Sequence, residues 1–260
     1  MSTVPPPSGR PPRTLALGAW LATRGPIAAL GFALAAIGSA AAIVGAFAAA
    51  RRGGPATQIA TWTAEGIAWG AGMTLAFGAA FRAIERDREQ GVVSLVRARG
   101  VSVAAYVRGR VTGLSLLLAA VVGGATLVAG LAATSIDGPS VAVLRAWLGA
   151  LAYALAFAAT IGPVALASLG TGGRAGGYLA LLTVLALPEL AAPWTSTLLP
   201  RDWHELTSIP AALDAVRAGV CAPLHQGASA ARALAALAAV VAVSVVVVDA
   251  RVARGAEHAE

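Results

Sequence analysis

The chain has 260 residues, of which 58% are hydrophobic and only 12% are charged, whereas a soluble domain is about 25% charged. Its formal net charge is +7, and all nineteen basic residues are arginine. This composition excludes an ordinary soluble domain. The lack of lysine also excludes a Walker A nucleotide site, which needs a lysine that reaches the β- and γ-phosphates. Several apolar runs near 20 residues predict an all-α, polytopic membrane protein that forms a single transmembrane domain, 1–260.

The N-terminal region is predicted to lie outside the bilayer. Residues 1–13 are rich in proline, which opposes helix formation, and we expect a disordered tail. Residues 14–25 carry Trp20 and Arg24, and both side chains favour the headgroup zone. An interfacial helix over 14–25 is one prediction, and an ordinary juxtamembrane linker is the alternative.

Six apolar segments are each long enough to span a bilayer. In the first, Gly31, Gly38 and Gly45 recur every seven residues, which predicts a smooth face for close helix packing. The predicted spans are 27–50, 61–81, 111–133, 141–169, 176–193 and 230–248.

The region before the last span is too polar for lipid and too apolar for an ordinary loop. Pro188, Glu189 and Pro193 are expected to interrupt the fifth span, and further prolines break the chain that follows. Non-helical backbone at membrane depth requires protein or a cavity around it. We therefore predict short re-entrant or outer helices here, one of them within 208–220.

A charged stretch over 82–110, called the insert below, separates the second and third spans and holds seven of the nineteen arginines. Residues 82–89 are expected to lengthen the second span into water. The apolar residues that follow, from Val92 to Val96, can give a short helix an edge that fits the groove of a partner. A solvated loop whose arginines only fix the topology is the alternative.

With six spans, both termini lie on the same side as the insert. That side then carries thirteen arginines and the other side six, so the positive-inside rule predicts that the insert and both termini are cytoplasmic. Topology accounts for the net charge, and no nucleic-acid partner is expected. The predicted location is the inner (plasma) membrane, with the lipid bilayer around a multi-pass protein.

The insert contains three ordered motifs, which are Glu89-Gln90-Gly91-Val92-Val93-Ser94-Leu95-Val96, Gly100-Val101-Ser102 and Tyr106-Val107-Arg108-Gly109-Arg110. Their order resembles the first cytoplasmic loop of ABC-2 type transporter permeases. Departures from that family are Val92 in place of threonine, Arg99 and Gly100 where a proline is usual, and Arg110 in place of lysine. The resemblance covers about 30 residues as a motif and most of the chain as an architecture.

The resemblance implies a transporter subunit rather than an enzyme. It implies a dimer of permease subunits, identical or different, and a cytoplasmic ABC ATPase subunit that binds ATP and Mg²⁺, while this chain holds no cofactor. Export of an unidentified substrate is the expected direction. The residues expected to couple to the ATPase through a coupling helix are Glu89, Gly91, Val92, Val93, Leu95, Val96, Arg97 and Arg99.

Two carboxylates are candidates for a substrate path or outer region, because charge near membrane depth is costly. Glu65 and Glu189 each have a structural alternative, since Glu65 can reach the interface and Glu189 can pair with Arg201 or Arg217. His204 lacks a second histidine at metal-ligand spacing. An intramembrane enzyme and a non-transporting membrane anchor of a larger machine are the other two hypotheses.

The predicted topology can be tested by cysteine labelling of intact cells. In a Cys221→Ser background, we expect Ser94→Cys to react only after the membrane is opened and Ser208→Cys to react from outside. The reverse labelling pattern would invert the orientation.

Overall fold

The computed structural model describes residues 14–23, 26–170, 174–198 and 202–257. Helices make up 91% of the described residues, which contain no strand. The all-α prediction is therefore confirmed. The predicted tail over 1–13, together with Arg24 and Arg201, lies outside the described residues.

Thirteen α-helices and two π-helical turns follow one another within the described residues. The π-helical turns are Ala68–Gly72, between α3 and α4, and Ala119–Gly123, between α7 and α8. The α-helices are α1 Thr14–Ala22, α2 Pro26–Arg51, α3 Ala56–Ile67, α4 Met73–Ala80, α5 Ala83–Glu89, α6 Val92–Ala98, α7 Val103–Leu118, α8 Gly124–Asp137, α9 Val141–Leu169, α10 Arg174–Leu198, α11 Asp202–Thr207, α12 Ile209–Cys221 and α13 Pro223–Glu257.

Six helical segments are long and apolar enough to cross a membrane, which confirms the predicted number and the multi-pass class. At about 1.5 Å per residue, α9 alone is about 43 Å long, close to the full thickness of a bilayer with its headgroups. The segments are Pro26–Arg51, Ala56–Glu89, Val103–Asp137, Val141–Leu169, Gly176–Trp194 and Pro223–Ala253.

The glycine face of α2 packs against the next span. A Cβ added at Gly31 would lie 2.8 Å from Cβ of Leu75, and one added at Gly38 would lie 2.6 Å from Cγ1 of Ile67. Because α2 runs antiparallel to α3 and α4, the glycines of α2, which are seven residues apart, contact apolar residues of α3 and α4 that are eight residues apart. Small residues allow this close approach of the backbones, as the spacing of the glycines predicts.

The two π-helical turns face each other against α9. A Cβ at Gly72, in the first turn, would lie 2.7 Å from the Phe157 ring and 2.9 Å from Val122, in the second turn. Trp69 packs edge-on against Phe157, with 5.2 Å between ring centroids. Spans two, three and four thus meet around the Phe157 side chain, which is fully buried.

Some helix limits differ from the sequence-based expectation. The helix of span three begins at Val103 rather than at 111, and that of span six begins at Pro223 rather than at 230. The interruption expected at Pro188 and Pro193 is wrong, because α10 is continuous through both. Each proline removes one backbone hydrogen bond, whereas ending a helix in an apolar environment leaves several polar groups unpaired.

The connectivity defines two ends of the bundle. We call the end with the insert the insert end and the opposite end, with α11 and α12, the far end. At the far end, Asp137 closes α8 and accepts hydrogen bonds from the N–H groups of Ala56 and Thr57, at 3.0 and 2.8 Å. Pro55 precedes α3 and offers no side-chain cap, so a carboxylate from span three caps span two.

The close contact of α2 with α4 predicts a large difference between two identical substitutions. Gly31→Ala would place a Cβ 3.0 Å from the backbone of Leu75, and we expect a loss of about 1–3 kcal/mol from overpacking. Gly66→Ala is the matched control, because its Cβ would meet nothing within 4 Å. Unfolding of the purified protein in detergent measures both. Equal free energies of unfolding for the two variants would contradict the close packing of the glycine face of α2.

Candidate functional site

The insert is a folded unit at the end of the bundle. Span two ends at Phe81, and Arg82 then adopts the left-handed conformation with φ 49° and ψ 25°. The expectation that residues 82–89 lengthen span two is therefore wrong, because the chain turns and α5 starts a new helix. The turn is held by α9: the N–H of Arg82 donates to the carbonyl of Leu169 at 3.0 Å, and that of Ile84 to Gly170 at 3.2 Å.

A buried ion pair fixes α5 to span three. Arg110 Nε donates to Asp87 Oδ2 at 2.9 Å, and the two side chains are only 7% and 2% exposed. The Tyr106 hydroxyl donates to the same carboxylate oxygen. Tyr106 and Arg110 are four residues apart, so both project from one face of α7. Asp87 is thereby held by two donors, as a buried charge requires.

Two arginines join the insert end to the last helix. Arg88 donates through Nη2 to the carbonyls of Val252 and Arg251, at 2.8 and 3.3 Å. Arg251 in turn donates through Nη1 to the carbonyl of Ala167, in the last turn of α9, at 2.9 Å. Arginine is suited to carbonyls near helix C-termini, where the helix dipole places negative charge. The insert therefore contacts the ends of spans three, four and six and continues from span two.

The second helix of the insert, α6, divides its apolar residues between two faces. Val92, Val93 and Val96 are half-buried against the hydrophobic core of the bundle. Leu95 points outward and is 56% exposed. Three valines and Leu95 are expected to form one docking edge. In the structure the valines anchor α6, so Leu95 alone of these four residues is freely available to a partner.

The other predicted coupling residues surround this helix. Gly91 has φ +70° and opens α6, a conformation that favours glycine. Glu89 is 61% exposed and pairs with Arg82 at 3.2 Å. Arg97 and Arg99 are exposed. These side chains and Leu95 form the surface that the insert presents away from the bundle.

Glu65 lies in a polar cluster at the far end. It pairs with Arg217 of α12, which also bonds to Asp214 at 2.9 Å and lies 5.7 Å from the centre of the Tyr153 ring. Partial burial, and after it the charge of Glu189, raises the pKa of Asp214 above its usual value. Glu65 thus joins span two to the far-end helix α12, a partner that the sequence did not reveal.

Glu189 joins span five to the far-end helices α11 and α12. It accepts a hydrogen bond from the Ser208 hydroxyl, and its Oε1 lies 3.7 Å from His204 Nε2. Ser208 also caps α12 by accepting from the N–H of Ala211 at 3.1 Å. Arg217, one suggested partner of Glu189, bonds to Glu65 and Asp214 instead. The other, Arg201, is not among the described residues.

The far end shows no arrangement for metal chemistry in the part of the chain that the structure describes: no group of three or more His, Cys, Asp or Glu side chains is placed to hold a metal ion. Glu205 accepts from Ser229, which ties α11 to α13. The polar groups of this end therefore connect helices to one another.

The contacts that hold the insert in place are not predicted from the sequence. There, Asp87, Arg88 and Arg251 only contribute to the pattern of charges. One signal was present: Tyr106 and Arg110 form an i, i+4 pair of large polar side chains on a helix otherwise apolar enough to span. Such a pair requires a buried acceptor nearby, and the acidic residues of 85–89 are the closest along the chain.

Comparisons with protein-family models, with curated proteins and with solved structures gave no match for this chain. Assignment of a function therefore depends on the geometry of the insert and on the resemblance of its motif.

The buried ion pair predicts strong coupling between two substitutions. Asp87→Leu leaves Arg110 buried without its charge partner, and Arg110→Met does the same to Asp87, so we expect each to cost about 3–5 kcal/mol. The double variant removes both charges and should be more stable than either single variant. Denaturant unfolding in detergent measures the three proteins. Additive losses would contradict a direct interaction.

Proposed function

We propose that this chain is the membrane-spanning permease subunit of an ABC-2 type transporter, which moves its substrate outward with energy from ATP hydrolysed in a separate ATPase subunit. The observation that carries the proposal is the attachment of the insert. The helix α5 is joined by hydrogen bonds to the ends of several spans, and the adjoining short helix α6 packs on the core of the bundle and carries an exposed apolar residue. A partner that binds this helix can therefore act on the whole bundle.

The contacts of the insert support a role in transmitting movement. α6 is anchored by its three valines, and α5 is tied to span three through Asp87 and to spans four and six through backbone carbonyls. Packed and hydrogen-bonded elements move together rather than deform. A displacement of the insert would therefore shift the ends of these spans. ATP binding to the partner would bias the equilibrium between two such arrangements.

The exposed part of the insert supports a docking role. Leu95 projects from α6 between Ser94 and the exposed Arg97, which gives an apolar contact with polar and basic neighbours. An apolar side chain with polar and charged neighbours resembles the apolar centre and polar rim of a protein–protein interface. The Leu95 side chain is the contact that we expect the ATPase to bury.

The proposal assigns the far end to the substrate side. Glu65 and Glu189, the two candidate carboxylates, lie there in a network with α11 and α12. A second permease subunit completes the transporter in this proposal. A non-transporting membrane anchor would use the same insert, so only ATP turnover distinguishes the two functions.

The first test is purification of the tagged full-length chain from its native membrane. We expect an ABC ATPase to copurify and its ATP hydrolysis to rise in the complex relative to the ATPase alone. An ATPase that binds without any change in turnover would favour the membrane-anchor function. Recovery of the chain without an ATPase would contradict the proposal.

Leu95→Asp tests the docking contact without disturbing the bundle, because the side chain is 56% exposed. We expect ATPase recovery to fall at least about tenfold, as for loss of a contact of about 1.4 kcal/mol or more. Leu224→Asp is the matched control, since Leu224 is 95% exposed at the far end. Retained ATPase binding by the Leu95 variant, or equal losses in both, would place the docking contact elsewhere.

A further inference from the structure

Besides Arg86 of α5, three arginines at the insert end have exposed side chains without a partner among the described residues. Arg97 and Arg99 end α6, and Arg108 lies on the outer surface of α7. Within the described residues, none of the three guanidinium groups takes part in an ion pair or a side-chain hydrogen bond. We call these three residues the arginine surface. Their charges are available to a ligand.

The length of span three places Arg108 at the depth of lipid headgroups. The helical segment Val103–Asp137 has 35 residues, about 52 Å at 1.5 Å per residue, which exceeds the 40–45 Å of a whole bilayer. If Asp137 lies in the headgroup layer of the far end, Arg108 is about 43 Å away along the helix. That distance puts Arg108 in the opposite headgroup layer, beside lipid phosphates.

The short helix α1 gives an independent marker of the same level. It crosses α7 so closely that a Cβ on Gly18 would lie 2.1 Å from the carbonyl oxygen of Gly109, next to Arg108. Trp20, two residues further along α1, is 51% exposed. Exposed tryptophan is enriched at the membrane interface. Trp20 and Arg108 therefore lie at the same level, that of the membrane–water interface, where both a tryptophan ring and a cationic side chain are stable.

The charge of the protein is unevenly divided between its two ends. When each ionisable residue among those that the structure describes is assigned to the nearer end of its span, the insert end has ten arginines and five carboxylates, and the far end has five arginines and six carboxylates. The excess of positive charge therefore lies at the insert end. Anionic headgroups are the membrane component that complements this charge.

We propose that Arg97, Arg99 and Arg108 form a binding surface for the headgroups of anionic phospholipids. Arg108 would contact a phosphate in the headgroup layer, and Arg97 and Arg99 would contact the same layer from α6. Guanidinium groups bind phosphate oxygens through two parallel hydrogen bonds. Bound lipid would hold α6 and α7 against the membrane surface. This proposal does not rest on the proposed transport function.

Native mass spectrometry of the full chain in detergent provides the test. The protein is incubated with equal amounts of phosphatidylglycerol and phosphatidylcholine, and the ratio of the two lipid adducts is measured. We expect phosphatidylglycerol to be preferred by more than about tenfold, because three basic residues near an anionic surface act together. The variant R97Q/R99Q/R108Q should lower this ratio by about tenfold or more, since each basic residue near an anionic surface contributes a factor of about five.

The matched control removes the same charge at the far end. Arg51, Arg52 and Arg145 are also exposed, and R51Q/R52Q/R145Q should keep the lipid preference, because carboxylates balance the arginines there. The variant R97K/R99K/R108K should keep most of it, which separates charge from misfolding. R108Q and R97Q/R99Q measured separately show whether both parts of the arginine surface contribute.

Two results would overturn the proposal. One is an equal fall of the ratio in both triple glutamine variants, which would mean a general effect of net charge. The other is an unchanged ratio in R97Q/R99Q/R108Q. If that variant instead loses a copurifying ATPase while it keeps its lipid preference, these arginines serve a protein contact.

Discussion

The buried ion pair between Asp87 and Arg110 is the interaction on which the arrangement of the insert end depends. Moving a carboxylate and a guanidinium out of water costs several kcal/mol for each ion, and only good geometry compensates that cost. Arg110 Nε at 2.9 Å and the Tyr106 hydroxyl provide this geometry. The pair can form only if α5 turns back against α7. A chain that kept α5 in line with span two would carry Asp87 away from α7 and leave Arg110 without its charge partner.

Unpaired carbonyls at the end of α9 impose a second constraint on the same region. The carbonyls of the last turn of a helix have no N–H donor within the helix itself, and here other segments supply the donors. The N–H groups of Arg82 and Ile84 bond to Leu169 and Gly170, and Arg251 bonds to Ala167. The left-handed conformation of Arg82 makes this possible, because it turns the start of α5 toward α9. Span four is thus capped by the insert and by the last helix together.

The apolar segments could be predicted from sequence because hydrophobic length alone decides whether a helix can cross a membrane. The limits of the helices were less predictable. Span three begins at Val103 rather than at 111 because Arg110, which reads as a loop residue, is neutralised by Asp87, and that contact is not local in the sequence. Similarly, α10 continues through Pro188 because ending the helix there would leave more backbone N–H and C=O groups without hydrogen bonds.

The candidate site was predictable only in part, for a related reason. Periodicity indicated that the residues from Val92 to Val96 form an amphipathic helix, but it did not say which side faces the bundle. In the structure the valines are anchored and Leu95 is exposed. The far-end partners Glu65 and Arg217 are far apart in sequence, and no local pattern links them. Contacts between segments that are distant in sequence can be identified only once the fold is known.

The two ends of the bundle hold their helices by different kinds of contact, and span five is the clearest case. At the far end, Glu189 of α10 is bonded to Ser208, which caps α12. Near the insert end, Tyr178 of α10 packs on Phe81 and Phe77, with ring centroids 6.0 and 6.2 Å apart. Aromatic contacts tolerate sliding, whereas hydrogen bonds with fixed directions resist it.

A displacement of the insert would consequently act on span five differently from spans three, four and six. Those three spans are joined to α5 by Arg110, by the carbonyls at the end of α9 and by Arg88, so their ends would follow the insert. Span five could slide along its aromatic contacts while Glu189 keeps it attached to the far-end helices α11 and α12. Relative movement between span five and the rest would then appear at the far end, where Glu189 and Glu65 lie in one network with α12.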